Sequence, residues 1–129
     1  MVAIDTNILI RFFEIDPLSQ FEQFKKLIKY HKTVFISHIV LVEFVWVCKS
    51  SFKLNKSEIC DRLKAIINAI EFEFVQKQAV ESALEHYAKN KGDFSDYLIA
   101  ETNLANGCET TLTFDVNVSK CSTFTLVER

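Results

Sequence analysis

MVAIDTNILIRFF, residues 1–13, sets a short apolar run directly before polar residues that favour the start of a helix. The first four residues predict a buried strand, and Asp5, Thr6 and Asn7 predict a helix through ILIRFF. Asp5 is therefore expected at the carboxyl end of a strand. Ligands of open α/β sheets bind outside the carboxyl ends of the strands, so Asp5 is a candidate site residue.

The same alternation of apolar strands and helices continues along the chain. Further strands are predicted at VFIS (34–37), IEFEFV (70–75), TTLTF (110–114) and TFTLV (123–127). Two further helices are predicted in the first half of the chain, one from Asp16-Pro17 to about Tyr30 and one from a Ser37 cap to about Lys49. A third follows Asn55 and has apolar positions from Ile59 to Ile70. The last two are predicted from Gln76 to Lys91-Gly92 and, with Asp93 as the cap, over FSDYLIAETNLA (94–105). The β-branched run IVLVEFVWV (39–47) leaves a strand as an alternative, but its length favours a helix.

This order of elements predicts the α/β class. Short apolar strands that alternate with helices are typical of a parallel sheet covered on both faces, so we expect a three-layer α/β/α sandwich with a central, mostly parallel sheet. The strand order stays open. With 129 residues, 49% hydrophobic residues and only 2 Gly and 1 Pro, the chain has the apolar surface for one core and no stretch of linker composition. We expect one domain over residues 1–129.

Bulk properties exclude several functional classes. The most apolar stretch, Thr33 to Cys48, is shorter than the roughly 20 residues of a membrane span and contains Glu43. No basic region precedes an apolar one at the N-terminus, so a cytoplasmic protein without membrane contact is expected. The four cysteines and three histidines fit no zinc spacing and predict reduced, partly buried thiols. A formal charge of -2 gives no global attraction to nucleic acid.

Four acidic residues stand where this pattern predicts turns or burial. They are Asp5 after MVAI, Glu43 inside IVLVEFVWV, Asp96 in GDFSDYLIA and Asp115 after TLTF. An ionised carboxylate that leaves water needs a cation or hydrogen-bond donors, and the apolar neighbours of Glu43 predict an inward-facing side chain. We expect the four acids to meet in one cleft and to bind a divalent cation.

The chemistry of the donors predicts which cation. Carboxylate oxygens suit hard ions, above all Mg²⁺, with Mn²⁺ as a substitute, and make zinc or copper a poor match. Such an ion can activate a water molecule and neutralise charge on a phosphodiester. The acids are therefore candidate catalytic and metal-binding residues for phosphodiester hydrolysis.

The chain resembles the PIN-domain endoribonucleases, in particular the VapC-like toxins of type II toxin-antitoxin modules. The resemblance covers nearly the whole chain and rests on MVAIDTNIL at the start, Glu43, FSDYLIA around Asp96, and TFD at residues 113–115. It assigns the acidic positions of the family to Asp5, Glu43, Asp96 and Asp115, with Thr6, Asn7 and Thr113 as supporting groups.

What the resemblance implies is a magnesium-dependent toxin that cleaves RNA, with structured RNA such as transfer RNA as the substrate. It also implies a homodimer and a cognate antitoxin that inserts a segment into the acidic groove. DNA would be contacted only indirectly, through that antitoxin.

Each feature also has a purely structural interpretation. Asp5 could only cap a helix, Asp93 and Asp96 could form a capping pair, and Glu43 could pair with a lysine or lie at an interface. Capping is the preferred role of Asp93 over a water-mediated metal contact. We expect mainly structural roles for the other side chains. A solvated helix face is expected of Lys25, Lys26, Lys29 and Lys32, with RNA contact as the alternative. The core or a dimer interface is expected for Phe44 and Trp46, and a structural or surface position for His38 and His86.

Two other functions compete with a nuclease. A phosphatase with a strand-end aspartate nucleophile is the weaker rival, because haloacid-dehalogenase enzymes carry a second aspartate two residues on, where this chain has Asn7. The other rival is a catalytically silent module that binds RNA or a partner. Retention of all four acids disfavours it.

Overall fold

The computed structural model describes residues 1–128, which form two compact units. The first unit is Met1–Val75, and the second begins at Gln76. Each unit has its own sheet, and every strand pair in both sheets is parallel. Parallel strands joined through helices are the expected α/β pattern.

The first unit contains three strands and four helices. In chain order they are β1 (Val2–Ala3), α1 (Thr6–Ile10), α2 (Leu18–His31), β2 (Val34–Phe35), α3 (His38–Ser50), α4 (Lys56–Asn68) and β3 (Phe72–Glu73). The strand order is β1-β2-β3, with Val34 opposite both Val2 and Phe72. The strands are shorter than MVAI, VFIS and IEFEFV predict, and each contains two residues.

The second unit contains two helices and two strands. They are α5 (Lys77–Lys89), α6 (Phe94–Ala105), β4 (Thr111–Thr113) and β5 (Phe124–Leu126), with one turn of 3-10 helix at Val118–Lys120. Strands β4 and β5 pair with Thr111 opposite Phe124. Helices α5 and α6 pack together, and the rings of Tyr87 and Phe94 meet edge to face with centroids 5.9 Å apart.

Three helices begin where capping residues predict. Ser37 Oγ accepts a hydrogen bond from the backbone N–H of Val40 at 3.3 Å at the start of α3. Asn55 and Glu58 form a reciprocal capping box at the start of α4, with distances of 2.9 and 3.0 Å. Asp93 stands at the N-cap of α6. A short side chain satisfies these N–H groups locally, so the signal is readable from sequence.

Three predicted helix boundaries are wrong. Helix α1 ends at Ile10 and does not continue through ILIRFF, because the next three backbone N–H groups bond to carbonyls three residues back instead of four. Asp16 does not cap α2, because Pro17 itself occupies the N-cap position and no side chain caps that helix. Helix α4 ends at Asn68, so Ile70 lies outside it and is 89% exposed. The apolar spacing therefore extends beyond the end of the helix, where Ile70 has no core to pack against.

Residues 38–50 form a helix despite their β-branched composition. Leu41, Phe44, Val45 and Cys48 recur at helical spacing and are all buried. This stripe supplies the core face of α3, which contacts α1, and burial of such side chains contributes about 1.5–3 kcal/mol each. Length and packing therefore override the strand tendency of IVLVEFVWV.

The thiols are partly buried, as the sequence predicts. Cys48, Cys60 and Cys121 are buried, Cys108 is exposed, and all four are free thiols. None of the helices within residues 1–128 combines the length and the apolar character that crossing a bilayer requires.

Candidate functional site

Asp5 connects β1 to α1 in the first unit. It follows the strand by two residues and is the N-cap of α1, where its Oδ1 accepts a hydrogen bond from the backbone N–H of Ile8 at 3.0 Å. The side chain therefore does cap a helix, as the structural interpretation predicts. Its position at the carboxyl end of a parallel strand is also the expected one.

Glu43 lies on α3 in the same unit, but it does not face inward. Its neighbours Phe44 and Val45 are buried, whereas Glu43 is exposed. A helix turns about 100° per residue, so a polar side chain inside an apolar run can still point to solvent. The prediction of an inward-facing carboxylate is wrong. Within residues 1–128 Glu43 has no ion-pair partner, so pairing with a lysine does not explain it either.

Asp96 lies in the first turn of α6 in the second unit. Its Oδ2 accepts a hydrogen bond from the backbone N–H of Asp93 at 2.9 Å, and the two residues form a capping box. Asp93 is exposed and Asp96 is half-buried. The capping role predicted for Asp93 is confirmed, and Asp96 shares it.

Asp115 follows β4 by two residues and is held on both sides by local hydrogen bonds. Its backbone N–H donates to Thr113 Oγ1 at 3.0 Å. Its Oδ1 accepts from the backbone N–H groups of Asn117 at 2.8 Å and Val118 at 3.4 Å. Thr113 thus fixes the backbone that carries the carboxylate, which is the kind of supporting role assigned to it by resemblance.

Tyr97 lies close to both acids of the second unit. Its side chain is buried, and its hydroxyl donates to the backbone carbonyl of Lys91. Burial raises the pKa of Tyr97, and the charges of Cys121, Asp96 and Asp115 raise it further. The Val118 N–H donates to Asp115 Oδ1 at 3.4 Å, and Val118 and Asp96 both lie beside Gly92, so Asp96 and Asp115 lie in the same region of this unit.

Gly92 makes this arrangement possible. It has a φ of +112°, and a Cβ at this position would lie 2.9 Å from Val118 Cγ1, 3.0 Å from the Tyr97 hydroxyl and 3.4 Å from Asp96 Oδ2. Only glycine combines this backbone angle with so close an approach. Gly92 and Tyr97 were not predicted as site residues; a glycine directly before a helix cap was the available signal.

The acids are not buried. Asp5, Glu43 and Asp115 are exposed and Asp96 is half-buried, so the expectation that burial forces them onto a cation is wrong. Exposed carboxylates keep their hydration and need no counter-ion to be stable. Their link to a metal therefore depends on their position and geometry.

The donor set fits a hard cation. Asp5, Asp96 and Asp115 each use one oxygen to accept a backbone N–H, and over residues 1–128 the other oxygen makes no hydrogen bond or ion pair. A backbone N–H fixes the carboxylate through one oxygen and leaves the other available for a cation, and Mg²⁺ prefers a few such oxygens together with water. Over residues 1–128, no group of three or more His, Cys, Asp or Glu side chains is placed so that it could hold a metal ion.

The remaining predicted side chains take mostly structural positions. Lys25 lies 3.3 Å from Glu22 and over the Phe21 ring, and Lys26, Lys29 and Lys32 are exposed. Phe44 is in the core, whereas Trp46 is 52% exposed and is not. His38 Nε2 lies 2.9 Å from the carbonyl of Val75, and His86 lies between Cys121 and Glu101, at 3.5 and 3.1 Å.

Comparison with known proteins identifies the family of the chain. The chain is 25% identical over 103 residues to the VapC ribonuclease of Aquifex aeolicus (strain VF5), an alignment that covers 76% of this chain and 75% of that protein. The model of the PIN domain matches residues 2–122. The resemblance drawn from the sequence motifs and the predicted fold class, a PIN-like α/β fold with mostly parallel strands, are both confirmed. The chain belongs to the PIN-domain family.

Proposed function

We propose that this protein is a magnesium-dependent endoribonuclease and the toxin component of a type II toxin-antitoxin system. The observation that carries the proposal is the shared geometry of Asp5, Asp96 and Asp115. Each is fixed by a backbone N–H through one carboxylate oxygen, and two of them follow parallel strands. Membership of the PIN-domain family and the ribonuclease among the relatives support the same conclusion.

The four acids would have different roles in binding the metal ion. Asp5 and Asp96 would hold the ion, and Glu43 and Asp115 would complete the site directly or through water. Bound Mg²⁺, with Mn²⁺ as a substitute, supplies a water nucleophile and offsets the charge that develops on the phosphodiester. The protein contributes fixed carboxylates, because the caps at Asp5 and Asp96 and the turn at Asp115 hold each side chain before substrate arrives.

The partners follow from the same proposal. The substrate is structured RNA, with transfer RNA as the first to test, and a cognate antitoxin silences the enzyme in the cytoplasm. The protein acts as a homodimer, and DNA is reached only through the antitoxin. An acidic site repels RNA until a divalent ion offsets its charge, so RNA affinity should depend on Mg²⁺.

Cleavage of an RNA panel tests the activity. The full chain is expected to cleave with Mg²⁺ or Mn²⁺ and to stop with EDTA, and Asp5→Asn is expected to lose at least about 100-fold in rate, in the range reported for loss of one transition-state contact. Asp61→Asn is the matched control, because Asp61 is an exposed acid of the same unit on α4. Unchanged cleavage by Asp5→Asn would contradict the assignment of Asp5.

One observation favours a second function. The hydrogen bonds of Asp5, Asp96 and Asp115 are also those of ordinary caps and turns, which a protein without turnover would keep. A silent module that binds RNA or a partner would have the same local structure. RNA binding without products at any divalent-ion concentration would support that module.

A further inference from the structure

A pocket with a mixed polar and apolar lining opens between α1 and α2 in the first unit. It has a volume of about 360 Å³ and is lined by Asp5, Asn7, Ile8, Arg11, Gln20, Gln23, Phe24 and Leu27. The α2 residues recur at helical spacing and form one face of that helix. None of the comparisons or motifs assigns this pocket a role.

We propose that this pocket binds one unpaired nucleotide of the RNA substrate, next to the bond that is cut. The inference rests on the proposed ribonuclease function. Asp5 belongs to both the pocket and the proposed metal site, so a nucleotide held here lies beside the reacting phosphate. The pocket therefore determines which base is preferred next to the cleavage site.

The lining has the chemistry of base recognition. The amides of Asn7, Gln20 and Gln23 each present both donors and acceptors, as the exposed edges of an unpaired base require. Ile8 and Leu27 supply apolar surface for the flat face of the base, and Phe24, which is buried, lines the inner wall. This mixture differs from the apolar groove that an amphipathic helix would need.

Arg11 adds the positive charge that a phosphate requires. Its Nη1 donates to the backbone carbonyl of Asp16, which holds the guanidinium between α1 and α2. Its Nε is buried and, within residues 1–128, has no hydrogen-bond partner. A buried donor without a partner carries a cost, which a small rotation of the guanidinium onto a bound nucleotide would remove.

The size of the pocket limits its occupant. Pockets for small ligands measure about 300–1,000 Å³, so this one is at the small end of the range. It accepts a single nucleotide-sized group rather than a length of helix or strand. A protein segment is the alternative occupant, and the experiments below separate the two.

Nucleotide binding tests the pocket without any need for cleavage. The full-length ¹⁵N-labelled chain is titrated with AMP, GMP, CMP and UMP, which contain no phosphodiester to cleave, in the presence of Mg²⁺, and the side-chain amide signals of Asn7, Gln20 and Gln23 are followed. At least one nucleotide is expected to shift them, and Gln23→Ala is expected to weaken that binding about fivefold or more, as loss of a bidentate amide contact would. Gln78→Ala, an exposed glutamine on α5, should leave binding unchanged. If no nucleotide shifts these signals, the proposal is wrong whether or not the protein cleaves RNA.

Cleavage specificity tests the same residues in the reaction. Products from a randomised RNA are sequenced for the wild type, for Q20A/Q23A and for Q78A. The double variant is expected to fold, because both glutamines are exposed on α2 and alanine preserves that helix, to cleave more slowly, and to lose the base preference beside the cut in the products that it forms. An unchanged preference in an active double variant overturns the proposal. Loss of antitoxin binding with intact nucleotide binding and preference would assign the two glutamines to a protein partner and also overturn it.

The cleavage assay and the nucleotide titration test the proposed function and the pocket separately. A wild type that never cleaves RNA with Mg²⁺ contradicts the proposed function, and the nucleotide titration then decides the pocket alone. A wild type that cleaves RNA but binds no nucleotide here contradicts only the pocket.

Discussion

The backbone N–H of Asp93 donates a hydrogen bond to Oδ2 of Asp96 at 2.9 Å, so the carboxylate proposed as a metal ligand also stabilises the start of α6. The two roles use different properties of the side chain. A cap needs one accepting oxygen, whereas a metal ligand needs negative charge. Substitutions can therefore separate them.

Asp96→Asn and Asp96→Ala should lose activity alike but differ in stability. Asparagine keeps an accepting oxygen for the Asp93 N–H, so we expect a free energy of unfolding close to that of the wild type. Alanine loses the contact and should cost about 1 kcal/mol. Urea denaturation measures the stability, and RNA cleavage with Mg²⁺ measures the activity. Wild-type cleavage by Asp96→Asn would show that its charge is not needed.

Gly92→Ala should be more destabilising than Gly107→Ala. Both glycines have positive φ, +112° and +92°, so both substitutions impose backbone strain of about 1–3 kcal/mol. A Cβ at Gly92 would also meet Val118 and Tyr97, whereas at Gly107 it would meet nothing within 4 Å. We expect a further loss of about 1–3 kcal/mol at Gly92 from overpacking, measured by chemical denaturation. Equal losses at the two positions would contradict the close packing around Gly92.

Arg62→Ala should destabilise the first unit far more than Lys25→Ala. Arg62 Nη2 lies 2.9 Å from Glu14 Oε2, both side chains are largely buried, and the guanidinium lies over the Phe13 ring at 4.8 Å. Its removal leaves Glu14 without its partner, for an expected cost of about 2–3 kcal/mol. The Lys25–Glu22 pair is half exposed and should contribute at most about 0.5 kcal/mol. Thermal and urea unfolding of both variants provide the comparison, and similar losses would contradict it.

Stability should decrease in alkaline solution. Burial raises the pKa of Cys48, Cys60 and Tyr97 above their usual values, 9.0 for the thiols and 10.0 for the phenol. A group with a raised folded-state pKa contributes stability that is fully present below its unfolded pKa and is lost as pH rises through its folded pKa. We therefore expect a constant midpoint of thermal unfolding from neutral pH to about pH 8 and a progressive fall above about pH 9.

Thiol variants check this assignment. Cys60→Ala should reduce the alkaline slope of the unfolding midpoint, because it removes one buried group that must ionise. Cys108→Ala, which removes an exposed thiol, controls for the loss of a sulfhydryl as such. A slope that is the same in the wild type and Cys60→Ala would mean that other groups cause the alkaline loss.

The sequence predicted those features that depend on neighbours within one or two turns. The caps at Ser37, Asn55 and Asp93 are local hydrogen bonds, so the residue types at these positions predict them directly. The strand-end positions of Asp5 and Asp115 follow from apolar runs bounded by polar residues. The motifs around these acids also indicated the PIN-domain family, which the comparison confirmed.

The tertiary structure decided what faces water and what lies together. Glu43 and Ile70 both stand in segments whose composition predicts burial, and both are exposed, because each residue lies away from the nearest core. Packing also brings Val118 next to Gly92 and Tyr97, and it forms the pocket between α1 and α2 from residues that are separate in sequence. Local propensity determines where helices and strands begin. The exposure of a side chain and its contacts depend on how those elements pack together, and no short stretch of sequence determines that packing.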